Sequence, residues 1–87
     1  MKDKMKKLQR ATELSDKLKK LNYTLESINN SKGGLPLYIA FYCNQEIHTE
    51  VSSSFFCDET KKKFFDFMED IVIKEKKLVM DELNKLL

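Results

Sequence analysis

One histidine, two cysteines and two glycines are all that this chain of 87 residues offers to several common chemistries. No C-x-x-C pair occurs, so a zinc site using Cys43, Cys57 and His48 needs ligands from other chains, and no metal site is assigned. The two glycines are adjacent. Ser31-Lys32-Gly33-Gly34 therefore lacks the spacing of a phosphate-binding loop, and it follows a helical rather than an extended segment. No apolar run approaches the length of a membrane span, and no hydrophobic segment backs the N-terminal lysines. A signal peptide and a membrane partner are thus not expected, and a cytoplasmic location is. In that compartment the cysteines are expected as ordinary, partly buried thiols. His48 with Cys43 or Cys57 makes a nominal dyad, but on a hairpin without a cleft His48 is read as a surface residue. No catalytic residue and no cofactor is assigned, and the chain is read as non-enzymatic.

What remains is charge and periodicity. Charged residues make up 34% of the chain, yet the formal net charge is only +2, a balance that forces neither a nucleic-acid nor a membrane partner. The excess is local: Lys2, Lys4, Lys6, Lys7 and Arg10 face only Asp3 in the first ten residues. By contrast, residues 35–57 contain no lysine or arginine and hold Tyr38, Phe41, Tyr42, Val51, Phe55 and Phe56.

Ala11, Leu14, Leu18, Leu21, Leu25 and Ile28 follow alternating three- and four-residue steps, which predicts a helix over about 3–30 with these six on one face. At Met5 and Leu8 the register slips. Gly33 and Gly34 end the helix. A hairpin is predicted over about 37–57, with Leu37, Ile39, Phe41 and Cys43 on one face of the first strand, Tyr38, Ala40 and Tyr42 on the other, and the turn near Gln45. That turn sets Cys43 beside Ile47 and carries the alternation of the return strand through Ser53 and Phe55. A second helix is predicted over about 59–86, with Asp58 as its N-cap. Its stripe runs through Phe64, Phe67, Met68, Ile71, Leu78, Leu83 and Leu86, widened by Phe65, Val72, Val79 and Met80, and Lys74-Glu75-Lys76-Lys77 forms a solvated turn between two contact zones. The fold class is α+β, one domain over 1–87, in the order α-β-β-α. Phe55, Phe56, Phe64, Phe65 and Phe67 are expected in the core at the strand–helix junction.

A chain this short buries little of its surface, and a lone two-stranded sheet is marginal. The second helix also carries more apolar surface than one partner helix covers, and both hairpin edges are open. A homodimer is therefore expected, with Leu14, Leu18, Leu21, Leu25, Ile28, Val72 and Val79 as its self-association residues. A larger partner is expected to meet the hairpin at Tyr38, Tyr42, His48 and Glu50. The layout from Met5 to Leu86, together with the abundance of lysine and asparagine, resembles small accessory proteins encoded by phages and prophages of low-GC bacteria. That resemblance implies a non-enzymatic binder of a larger bacterial protein or nucleoprotein complex, in its sharpest form an inhibitor of a host defence system. The alternative is a small nucleic-acid-binding regulator that uses Lys61-Lys62-Lys63, Lys74-Lys76-Lys77, Lys19-Lys20 and the N-terminal cluster, with Tyr38 and Tyr42 stacking on bases. A nucleotide signal held between subunits is a further option.

Overall fold

The computed structural model describes residues 2–86, the side chains of Ile47 and His48 excepted. Helix α1 runs over Lys2–Lys32, strand β1 over Tyr38–Cys43, strand β2 over Glu46–Ser52, and helix α2 over Asp58–Leu86, with a single 3₁₀ turn at Ser53–Phe55. The α-β-β-α order is the predicted one. At 31 residues and about 1.5 Å per residue, α1 spans most of a molecule measuring 54 × 29 × 16 Å.

The end of α1 is set by hydrogen bonds that the glycine pair permits. The Leu35 N–H donates to the Asn30 carbonyl at 3.2 Å and the Gly34 N–H to the Ser31 carbonyl at 3.1 Å, with Gly34 at φ 117°. This is the Schellman arrangement, in which a residue without Cβ takes up positive φ so that the last carbonyls find donors. The start of α2 differs slightly from the expectation. Asp58 is its first residue, and Cys57 holds the capping position, its carbonyl accepting from the Lys61 N–H at 2.9 Å. Asp58 and Glu59 still place negative charge at the positive end of the helix dipole.

The two helices lie antiparallel, as four cross-helix ion pairs among the described residues record. Arg10 reaches Glu82 at one end, with contacts of 2.9 and 3.1 Å; Lys17 pairs with Glu75 midway; Lys32 meets Asp66 at 3.1 Å and Glu69 at 3.0 Å near the hairpin. Between these pairs lies the core. Leu14, Ile28, Phe65, Val72 and Val79 are buried, and Leu21, Leu25, Leu37, Phe64 and Met68 pack against the cluster of Ile28, Phe65 and Val72. The predicted α1 stripe is thus the face turned to α2.

The α2 stripe is centred differently from the sequence expectation. Phe65, Val72 and Val79, seven residues apart, are its buried line, whereas Phe67, Ile71, Ile73, Leu78 and Met80 are exposed. Glu75 and Glu82 occupy the inner side because each carboxylate meets a cation on α1 there. Lys74-Glu75-Lys76-Lys77 is an unbroken turn of α2, with Lys74 and Lys77 exposed and Glu75 and Lys76 half-buried. The expected phenylalanine core is also corrected. Phe65 is buried and Phe64 half-buried, but Phe55, Phe56 and Phe67 are exposed, because the 3₁₀ turn and the outer side of α2 direct them away from α1.

Candidate partner-binding surface

The hairpin is held to the helices at its base. The Ser53 N–H donates to the Leu37 carbonyl at 2.7 Å, and the Leu37 N–H donates to Ser53 Oγ at 2.9 Å. Ser53 is buried and Leu37 joins the helical core. Immediately afterwards the chain leaves the extended conformation. Ser52 caps the 3₁₀ turn by accepting from the Ser54 N–H, so the return strand ends at Ser52 and does not continue through Ser53 and Phe55. Serine side chains that bond to nearby backbone compete with the strand ladder. Alternation of apolar residues therefore overstated the strand.

The distal turn is the two-residue kind. Asn44 and Gln45 both have positive φ, 53° and 70°, the backbone that matches the right-handed twist of a hairpin. Cys43 consequently pairs with Glu46, not with Ile47 as expected; Tyr42 pairs with Ile47, and a bulge in β2 follows, since Phe41 pairs with Thr49. Past the bulge the register is regular: Ala40 opposite Glu50, Ile39 opposite Val51, Tyr38 opposite Ser52.

This geometry yields an arm with aromatic side chains on both faces. Tyr38 is 60% exposed, Phe41 54% and Tyr42 65%. Tyr38 and Tyr42 share a face with Ala40 by strand alternation, and Glu50, which is exposed, lies opposite Ala40 on that same face. Three of the four expected partner-contact residues are thus brought together, while the side chain of His48 lies outside the described residues. The arm carries Glu46 and Glu50 but no lysine or arginine, so its charge is opposite in sign to the chain's net charge. Cys43 and Cys57 are both exposed free thiols, not partly buried. The Cys57 thiol is held below the ordinary thiol range, chiefly by its hydrogen bond with Thr60 Oγ1 at 3.2 Å and then by the Thr60 backbone N–H.

The residues expected to mediate self-association lie elsewhere. Leu14, Ile28, Val72 and Val79 are buried, and Leu18, Leu21 and Leu25 half-buried, all within the contact between α1 and α2 of one chain. The lysine groups divide. Lys32, Lys61, Lys63 and Lys74 meet carboxylates, as do Lys17 and Arg10, although Lys63 and Lys74 stay exposed; Lys2, Lys4, Lys6, Lys7, Lys19, Lys20, Lys62 and Lys77 are exposed as well. Reading the sequence missed the cross-helix pairs. Their signal was present: Arg10 and Lys17 are seven apart on α1, as are Glu75 and Glu82 on α2, the spacing by which flanking charges select an antiparallel or parallel neighbour.

A shallow depression of about 450 Å³ lies where α1 ends and α2 begins, lined in part by Ser31, Lys32, Lys61, Phe65 and Asp66. Among the described residues, no three His, Cys, Asp or Glu side chains converge as a metal site would need. No helix among them is long and apolar enough to cross a membrane. Compared with family models, with curated proteins and with solved structures, the chain matches none.

Proposed function

We propose that this protein is a non-enzymatic interaction module that self-associates and acts by occupying a surface on a larger partner, with the hairpin arm as the contact element. The observation that carries this reading is the exposure of Tyr38, Phe41 and Tyr42 on an arm whose base is fixed by the paired bonds of Leu37 and Ser53. Tyrosine supplies large contact area at low cost in side-chain entropy, and its hydroxyl tolerates water when no partner is bound. Exposed apolar patches of this kind mark interaction sites. The sharpest form of the proposal is an inhibitor of a bacterial defence complex, following the resemblance of the layout to phage accessory proteins.

The competing reading is a regulator that binds nucleic acid. It is favoured by the exposed lysines at positions 2, 4, 6, 7, 19, 20, 62 and 77, and disfavoured by the carboxylates that accompany the lysine groups, of which Asp58, Glu59 and Asp70 pair with Lys61, Lys63 and Lys74. The two readings part in one experiment. The tagged protein is used to capture partners from bacterial lysate, which are identified by mass spectrometry, beside the double variant Tyr38→Ala, Tyr42→Ala. The expected result is a protein partner that survives between about 50 and 200 mM salt and is lost with the double variant while the helical circular dichroism is unchanged. Capture that collapses over that salt range and is indifferent to the tyrosines overturns the hairpin reading and favours phosphate contacts.

A further inference from the structure

We propose that the open edge of β1 is a docking site for β1 of a second copy of this chain, the two strands pairing antiparallel about a two-fold axis at Ala40. The backbone supplies the first ground. Leu37 directs both its N–H and its carbonyl toward the β2 side, onto Ser53. In an antiparallel ladder these directions alternate residue by residue. Ile39 and Phe41 therefore bond to β2, and the N–H and carbonyl groups of Tyr38, Ala40 and Tyr42 point out of the open edge. Pro36, which has no N–H to give, falls outside this window.

The second ground is that the two edges of the arm are protected unequally. Proteins blunt an exposed strand edge with charges and bulges. β2 has both: Glu46 and Glu50, and the bulge opposite Tyr42. β1, Tyr-Ile-Ala-Phe-Tyr-Cys, has neither a charge nor an irregularity of its own. The open strand is the one with nothing to repel a neighbour.

The third ground identifies the neighbour. A two-fold interface must be self-complementary, and the sequence around Ala40 is nearly a palindrome in size: tyrosine two residues away on either side, a large apolar residue one away, and the smallest side chain at the centre. Centred there, Tyr38 of one copy faces Tyr42 of the second copy, Ile39 faces Phe41, and Ala40 faces Ala40. Each outward N–H meets an outward carbonyl, and no formal charge opposes its like. A shift of the axis by one residue toward the N-terminus drives Tyr42 against Pro36, where a donor is missing. The same operation on β2 joins two acidic, bulged edges. Pairing through β1 also converts a two-stranded arm, marginal alone, into a four-stranded sheet.

This inference rests on the self-association in the reading above and adds where the copies meet. It also makes the partner surface composite, because Tyr38 and Tyr42 of both copies then line one face of the joined sheet. Self-association through β1 leaves the α1–α2 core of each copy untouched.

The test places charge at the axis. Sedimentation equilibrium on the wild-type chain at micromolar concentration is expected to give twice the 10.3 kDa chain mass. Ala40→Glu and Ala40→Lys each bring two like charges together, and each alone is expected to dissociate roughly a hundredfold more readily. An equimolar mixture of the two is expected to recover the double mass, which a merely unfolded arm does not do. Helical circular dichroism equal to wild type confirms that the helices are intact in each variant. A wild-type chain that sediments singly overturns the inference, as does a dimer unaffected by either variant, which removes the contact from the β1 edge. A mixture that stays monomeric overturns it too. Failure of the partner reading shows separately, as unchanged lysate capture by the tyrosine variant.

Discussion

Replacing Ile28 by alanine probes the contact between the two helices at the end nearest the hairpin. Ile28 is 1% exposed and packs in the cluster with Phe65 and Val72, joined by Leu21, Leu25, Phe64, Met68 and Leu37 at the hairpin base. Removing its branched side chain costs the transfer free energy of the lost carbons plus that of the cavity left behind, together about 2–5 kcal/mol. A chain of this length has about 4–13 kcal/mol in all, so the loss is a large share of the total. With a urea m-value of about 1 kcal/mol/M, the low end for small proteins, the midpoint falls by about 2 M or more. The assay is urea unfolding followed by helical circular dichroism, with Leu8→Ala as control, since Leu8 is 70% exposed and a surface change of that kind stays within about 0.5 kcal/mol. Each variant is compared with wild type at matched concentrations, and the difference between them is expected to persist over a tenfold dilution, because the contact lies within one chain. Equal effects of the two variants refute the assignment of Ile28 to the core. A cost for Ile28→Ala that vanishes on dilution refutes the intramolecular packing, and moves the stripe to an interface between copies.

Two further outcomes follow from local geometry. Gln45→Gly places the residue most tolerant of positive φ at a position held at 70°; relief of strain, less the added freedom of the unfolded chain, is expected to steady the hairpin by about 0.5–1 kcal/mol, read as slower amide exchange across β1 and β2. Arg10 holds the Glu82 carboxyl below the usual carboxylate range, first through the side-chain hydrogen bond and then through its charge. A depressed carboxylate contributes stability above its unfolded pKa and loses it as pH falls through the lower folded value. The wild-type melting temperature is therefore expected to drop on acidification from about pH 5 toward 3 more than that of Arg10→Ala, by a small margin, because the pair is half exposed and screened.

The sequence was most legible where a single force acts. On α1 the leucines carry little competition from other apolar residues, so their heptad spacing identified Leu14, Leu21 and Ile28 as the inward line, and the glycine pair marked its end. On α2 apolar residues occupy three sides. Phe67, Ile71 and Leu78 drew the stripe outward, while Phe65, Val72 and Val79 are the buried ones. Glu75 read as solvated, and the pairing of Glu82 went unseen, because their partners are more than fifty residues away, on a helix whose register against α2 was not encoded locally. The hairpin itself was legible from alternation, but its turn was not: Asn44-Gln45 lacks the glycine that usually announces two consecutive positive φ values. Nor did alternation reveal that Ser52 stops β2, since stopping it is the work of a hydroxyl bonding to the backbone rather than of a change in pattern. Of the proposed surface, the shared face of Tyr38 and Tyr42 was legible from strand alternation alone.

The confinement of every lysine and arginine to the helices and their ends has a practical corollary. From Gly33 to Thr60 trypsin has no bond to cut, although this stretch includes the exposed Tyr38, Phe41, Tyr42 and Phe55. A tryptic map therefore yields the whole arm as one long peptide, whether or not anything covers it. Chymotrypsin, which cuts after aromatic residues, instead samples Tyr38, Phe41, Tyr42, Phe55 and Phe56 directly, so protection in that digest alone reports occupancy of the arm.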